Sequence, residues 1–141
     1  MIENERQYQF TQKRIQEFEA SLKSLRATPR PENVPEKIHR AMIESVESQL
    51  EALRVEVAEY EALKSQRVRE LELKSLDDLP DLFIKARLAR GYTQAELAKK
   101  LKVKPQQVQR YEATRYQSIS FKRLLDVAGA LDLDLHKMVK L

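Results

Sequence analysis

The 141-residue chain has no cysteine, no tryptophan and only two glycines. Without cysteine there is neither a disulfide framework nor thiolate chemistry, and cytoplasmic residence is the default expectation. So few glycines argue against an all-β fold built on tight turns. No apolar run approaches the roughly 20 residues a membrane span requires. The opening MIENERQYQF is polar where a secretory signal would be apolar. Phosphate-cradling glycine loops, the dinucleotide glycine pattern and the nucleophile elbow are all missing, so no enzyme is expected. His39 and His136 stand far apart without ligand neighbours at metal spacing, and no metal or cofactor is expected.

What is present is charge and helical periodicity. Hydrophobic residues make up 42% and charged residues 34%, which suits a helix-rich protein with modest cores. The net charge of +4 is uneven. Residues 1–78 hold 13 Lys and Arg against 16 Asp and Glu, a net −3, whereas residues 79–141 hold 13 against 6, a net +7. The front half reads as a solvated surface of mixed sign. The back half favours a polyanion.

In the front half, Tyr8, Thr11, Ile15, Phe18, Leu22 and Leu25 recur at spacings of three and four. That is a heptad seam, with Thr11 its weak point and Asn4 a plausible N-cap. Three prolines between Ala27 and Pro35 break the pattern. A second seam follows, made of Ile43, Val46, Leu50, Leu53, Val57 and Tyr60. Two seams of equal length joined by a short loop predict an antiparallel, coiled-coil-like hairpin. A two-helix core is small. Tyr8, Ile15, Phe18, Leu22, Val46, Leu50, Leu53, Val57 and Tyr60 are therefore candidates for a dimer or partner face. The second helix is expected to run to about Leu71. Ser75 with Asp78 reads as a capping-box variant, and Pro80 disfavours helix at Leu79. The expected division is residues 1–74 for the hairpin and 75–141 for a second domain.

The second domain reads as five short helices. Pro80 starts the first, with Leu82, Phe83, Ala86, Leu88 and Ala89 inward, and Gly91 ends it. Thr93 and Glu96 form a capping box for the second, with Leu97, Ala98 and Leu101 buried. Pro105 opens the third, with Val108 and Tyr111 inward. Ser118 or Ser120 caps the fourth, whose apolar positions are Phe121, Leu124, Leu125, Val127, Ala128 and Leu131. Asp134 caps a last helix with Leu135, Met138, Val139 and Leu141.

The second and third helices make a helix-turn-helix if they pack steeply, which the small Ala98 permits. The outer side of the third carries Gln106, Gln107, Gln109 and Arg110. A glutamine amide matches the major-groove edge of adenine, and arginine matches guanine. These four are the candidate base contacts. Thr93, Gln94, Lys99, Lys102, Lys104, Arg115 and Tyr116 are the candidate phosphate contacts, placed where a flanking backbone would pass.

Residues from about Leu82 to Leu135 resemble the Xre/Cro–cI helix-turn-helix family. The carriers are Arg87-Leu88-Ala89-Arg90-Gly91-Tyr92-Thr93-Gln94, Glu96-Leu97-Ala98, Val108, Tyr111-Glu112 and Leu124 to Leu131. The resemblance implies a lambda-repressor-like fold and major-groove binding, with Gln94 on phosphate and Gln106, Gln107 and Arg110 on bases. The pattern departs from the family at the turn, where Lys102 replaces the usual Gly and Lys104 the usual Ser or Thr. The Gly that often follows the Tyr-Glu pair is replaced near Thr114. The opening IENERQY, the proline loop, the helix ending near Val57-Ala58-Glu59-Tyr60-Glu61 and the C-terminal motif resemble HigA-type antitoxins. That implies a ribonuclease toxin as partner and repression of the protein's own operon. The expected protein is thus all-α, a homodimer on double-stranded operator DNA, away from membranes, with a small basic toxin as a further partner.

Overall fold

The computed structural model describes residues 1–136. Among them every regular element is helical: α1 (Glu5–Ala27), α2 (Glu36–Lys64), a 3-10 turn (Leu76–Asp78), α3 (Leu79–Ala89), α4 (Gln94–Leu101), α5 (Pro105–Ala113) and α6 (Phe121–Ala130). No helix among the described residues is long and apolar enough to cross a membrane. The chain forms two compact units, Met1–Glu61 and the remainder from Ala62.

The first unit is an antiparallel hairpin of α1 and most of α2. Asn4 starts α1 in extended backbone and accepts from the Gln7 N–H at 2.9 Å. The helix ends where Thr28, which precedes Pro29, leaves helical geometry at φ −90°, ψ 132°. After the proline loop, the Pro35 carbonyl accepts from the Ile38 and His39 N–H groups and opens α2. Early residues of α1 meet late residues of α2. Tyr8 stacks on Tyr60 with ring centroids 5.0 Å apart, and its hydroxyl donates to Glu61 at 2.5 Å. Midway, Arg54 pairs with Glu19 at 2.8 Å, and nearer the loop Arg26 pairs with Glu47.

The two heptad stripes cover each other. Thr11, Leu22, Leu50 and Tyr60 are buried, and Tyr8, Ile15, Phe18, Val46, Leu53 and Val57 are half-buried. Fully burying a large apolar side chain contributes about 1.5–3 kcal/mol. These residues, expected as a dimer or partner face, pack the two stripes against each other within one chain. The large apolar groups left exposed on the hairpin are Phe10, Ile38, Met42 and Val55, all off the seams.

In the second unit, α2 stops at Lys64 rather than near Leu71. Ser65 donates its hydroxyl to the Ala62 carbonyl at 2.6 Å, and Gln66 turns left-handed at φ 58° while its N–H donates to Leu63. Local bonding of this kind competes with the helical ladder. Ser75 and Asp78 form the expected capping box. Leu79 is helical despite preceding Pro80, held by its N–H bond to the Leu76 carbonyl of the 3-10 turn.

The core of this unit is Ile84, Leu97, Ala98, Val108, Val127 and Leu131, all fully enclosed. Ile84 and the buried Arg87 were not among the positions the pattern marked. Gly91 closes α3 at φ +73°, and a Cβ there would meet the Gln66 amide at 2.1 Å. Phe121 and Leu125, expected inside, are 74% and 56% exposed. They stand roughly 100° or more round α6 from Val127, beyond what one buried stripe can cover. Met138, Val139 and Leu141, expected in the last helix, lie outside the described residues.

Candidate nucleic-acid interface

α4 begins with a complete capping box. The Thr93 hydroxyl accepts from the Glu96 N–H, while the Thr93 N–H donates to the Glu96 carboxylate at 2.7 Å. The Thr93 hydroxyl also donates to that carboxylate at 2.9 Å. These bonds hold the Glu96 carboxyl below the usual carboxylate range, the Thr93 backbone bond first. Thr93 was expected on phosphate, but both its donors are engaged by Glu96.

α4 ends at Lys102, which is left-handed at φ 57°, ψ 40°. The Val103 N–H then donates to the Ala98 carbonyl, an αL cap that more often carries glycine. The turn therefore keeps its geometry with lysine in the place of the family's usual glycine. Three residues after Lys102, Pro105 opens α5 with its φ already set and no N–H to satisfy.

On α5, Val108, Tyr111 and Glu112 face inward. Gln106, Gln107, Gln109 and Arg110 are exposed; Gln106 neighbours Gln109 and Arg110, and Gln107 neighbours Arg110, at three- and four-residue spacings. Gln106, Gln107 and Arg110, with Lys104 and Tyr111, form one wall of a cleft of about 520 Å³. The opposite wall is Ser118, Ile119, Ser120 and Arg123. Gln109 is not part of that cleft. Ser118 and Ile119 had not been marked as site residues, since only the fold brings them opposite α5. Ser120 is the N-cap of α6 and accepts from the Arg123 N–H.

The expected phosphate contacts divide. Lys99, Lys102 and Lys104 are exposed cations. Lys104 lies at the cleft, whereas Lys99 lies beside Tyr92, Glu96 and Lys100. Gln94 is half-buried and donates from Nε2 to Glu112 at 2.7 Å. Arg115 pairs with Asp81 of α3 at 3.2 Å. Tyr116 is corrected, being 5% exposed and packed against Phe83 at 5.1 Å and Tyr111 at 6.3 Å. Arg115 and Tyr116 are both left-handed, at φ 49° and 56°, and Gln117 closes their turn by donating to the Thr114 carbonyl. That turn, entered from Thr114 at φ −92°, ψ 11°, swings the Tyr116 ring inward.

A capped short helix, a left-handed turn and a second helix with amides and a guanidinium outward define a DNA-binding helix-turn-helix. Residues 83–137 match the family model described as Helix-turn-helix, and this stretch is an Xre/cI-like domain. No curated protein and no solved structure matches the chain. The chain thus carries the DNA-binding domain of a transcription regulator.

Proposed function

We propose that the protein is a sequence-specific regulator that binds operator DNA as a homodimer and represses its own promoter. The observation that carries this reading is the outer face of α5, where exposed amides and Arg110 stand beside a cleft walled by hydroxyls and Arg123. On this reading Gln106, Gln107, Gln109 and Arg110 meet base edges, and Lys99, Lys102 and Lys104 meet phosphates. A single helix-turn-helix reads only a few base pairs. Two copies, with recognition helices about one DNA turn apart, give usable specificity.

The test is fluorescence anisotropy of the full chain on its own promoter DNA and on a scrambled duplex, at two salt concentrations. A preference of at least about a thousandfold for the promoter is expected. Equal binding to both that vanishes with salt would reduce the domain to a polyanion binder.

A second reading rests on the hairpin. A groove of about 820 Å³ along it is lined by Leu22 and Leu50, with Glu19, Glu47 and Glu51 balanced by Lys23, Arg26 and Arg54. Such a groove offers a protein partner an apolar strip flanked by charges of both signs, and under the HigA-type layout the protein would be the antitoxin of a toxin pair. A small basic open reading frame beside the gene favours this reading, and a solitary gene counts against it.

A further inference from the structure

Glu112 and Arg87 are 1% and 2% exposed, and neither charge lies on the surface that would meet DNA. Arg87 donates from Nε to Glu112 Oε1 at 2.6 Å and from Nη2 to Oε2 at 2.9 Å. Its Nη1 donates to the Tyr92 carbonyl at 2.9 Å. This two-pronged pair already answers the buried charge. The carboxylate nevertheless accepts a third donor, the Gln94 Nε2, at Oε2 and 2.7 Å.

A carboxylate only accepts, so Gln94 must present its NH₂ and the flipped amide is excluded. The second Nε2 hydrogen is then directed away from the carboxylate. It belongs to the first residue of α4, where the opening N–H groups of the helix favour an anion. Glu112 lies in the last turn of α5, the helix that carries the base-reading face. One carboxylate therefore joins the start of α4 to the end of α5.

We infer that Glu112 is a positioning residue: acting through Gln94, it orients that amide to donate its remaining N–H to a DNA phosphate. Because Glu112 sits on α5, the backbone anchor and the base-reading side chains are fixed in a single register. This inference rests on the DNA-binding reading above. A purely structural role for Glu112 would be complete with Arg87 and would leave the Gln94 amide free to rotate.

The test is a double-mutant cycle on the full chain with the promoter duplex. Gln94→Ala lowers affinity about tenfold in the native network. In the Arg87→Met/Glu112→Met background, where an apolar pair replaces the ion pair, the same change costs less than about twofold. Equal losses in both backgrounds overturn the inference. A second measurement needs no folded variant of the pair. In the nitrogen–proton spectrum of the native chain, the Gln94 side-chain amide, assigned by its loss in Gln94→Ala, should show widely split protons with one slowed in exchange with water. A Gln94 pair at free-glutamine shifts with fast exchange overturns it. If the native chain does not distinguish promoter from scrambled DNA, the regulator reading fails, and the spectrum still decides whether Glu112 holds Gln94.

Discussion

The hairpin and the helix-turn-helix domain both join helices with arginine–carboxylate pairs, under opposite conditions of solvent. Arg54 and Glu19 in the hairpin are each about half exposed, at 51% and 47% of their side chains. Arg87 and Glu112 are enclosed at 2% and 1%. Water screens the first pair, and its net worth is small. The second has lost its hydration, so each partner depends on the other. The hairpin is held by many repeated, replaceable contacts along a seam. The helix-turn-helix is held in part by a buried pair from which neither partner can be removed alone without cost.

The sharpest way to break this comparison is to truncate one carboxylate in each unit. Glu112→Ala should destabilise the second unit by about 3–5 kcal/mol, because the Arg87 charge is left buried and unpaired. Glu19→Ala should shift the hairpin by no more than about 1 kcal/mol. Urea unfolding followed by far-ultraviolet circular dichroism measures both, and similar losses would erase the distinction. A functional contrast comes next. Arg110→Ala should weaken promoter binding by about 1–3 kcal/mol and relax one base position, while Lys99→Ala weakens all sequences alike. Gel shifts against a set of single-base operator variants separate the two patterns.

Backbone conformation supplies a contrast of sign. Lys102→Gly should stabilise the second unit by about 0.5–1 kcal/mol, since the residue is already left-handed and glycine removes the Cβ penalty. Lys23→Gly, in the interior of α1, should destabilise the hairpin by a similar amount of about 0.5–1 kcal/mol. Thermal melts that moved in the same direction for both would contradict the left-handed assignment at Lys102. The smallest effects are in pH. Glu96 has a folded pKa below its ordinary 4.5, so its contribution is present above that value and is lost as pH falls through the lowered one. Tyr8 is raised above 10.0, first by its hydrogen bond to Glu61. Its contribution is present below pH 10 and is lost as pH rises through the raised value. Glu96→Gln should flatten the acid limb of the stability profile, and Tyr8→Phe the alkaline limb.

The same division decides what could be read in advance. Seams and caps are local and periodic, so Tyr8 to Leu25, Ile43 to Tyr60, Asn4 and the Ser75–Asp78 and Thr93–Glu96 boxes were visible in one dimension, and the α6 cap was narrowed to Ser118 or Ser120, of which the structure uses Ser120. The end of α2 was not, because nothing between Lys64 and Leu71 breaks a helix by composition and the stop is a hydroxyl bond with a left-handed Gln66. Phe121 and Leu125 looked internal because apolarity alone does not reveal which side of α6 finds a neighbour. The exposed side of α5 was legible from residue type and helical angle. The far wall of its cleft, the inward Tyr116 and the Arg87–Glu112–Gln94 network were not. These depend on residues distant in sequence and on a left-handed pair at Arg115 and Tyr116 whose side chains give no warning of it.

The inward turn of Tyr116 also gives the molecule an intrinsic optical label. With no tryptophan among its 141 residues, the chain's near-ultraviolet absorbance belongs mainly to five tyrosines. The Tyr116 hydroxyl finds no hydrogen-bond partner among the described residues, and burial pushes its ionisation far above the ordinary phenol range. Burial opposes its phenolate while the ring stays packed against Phe83 and Tyr111. In an alkaline titration, the last tyrosine to absorb as phenolate therefore times the opening of the helix-turn-helix, with no dye attached.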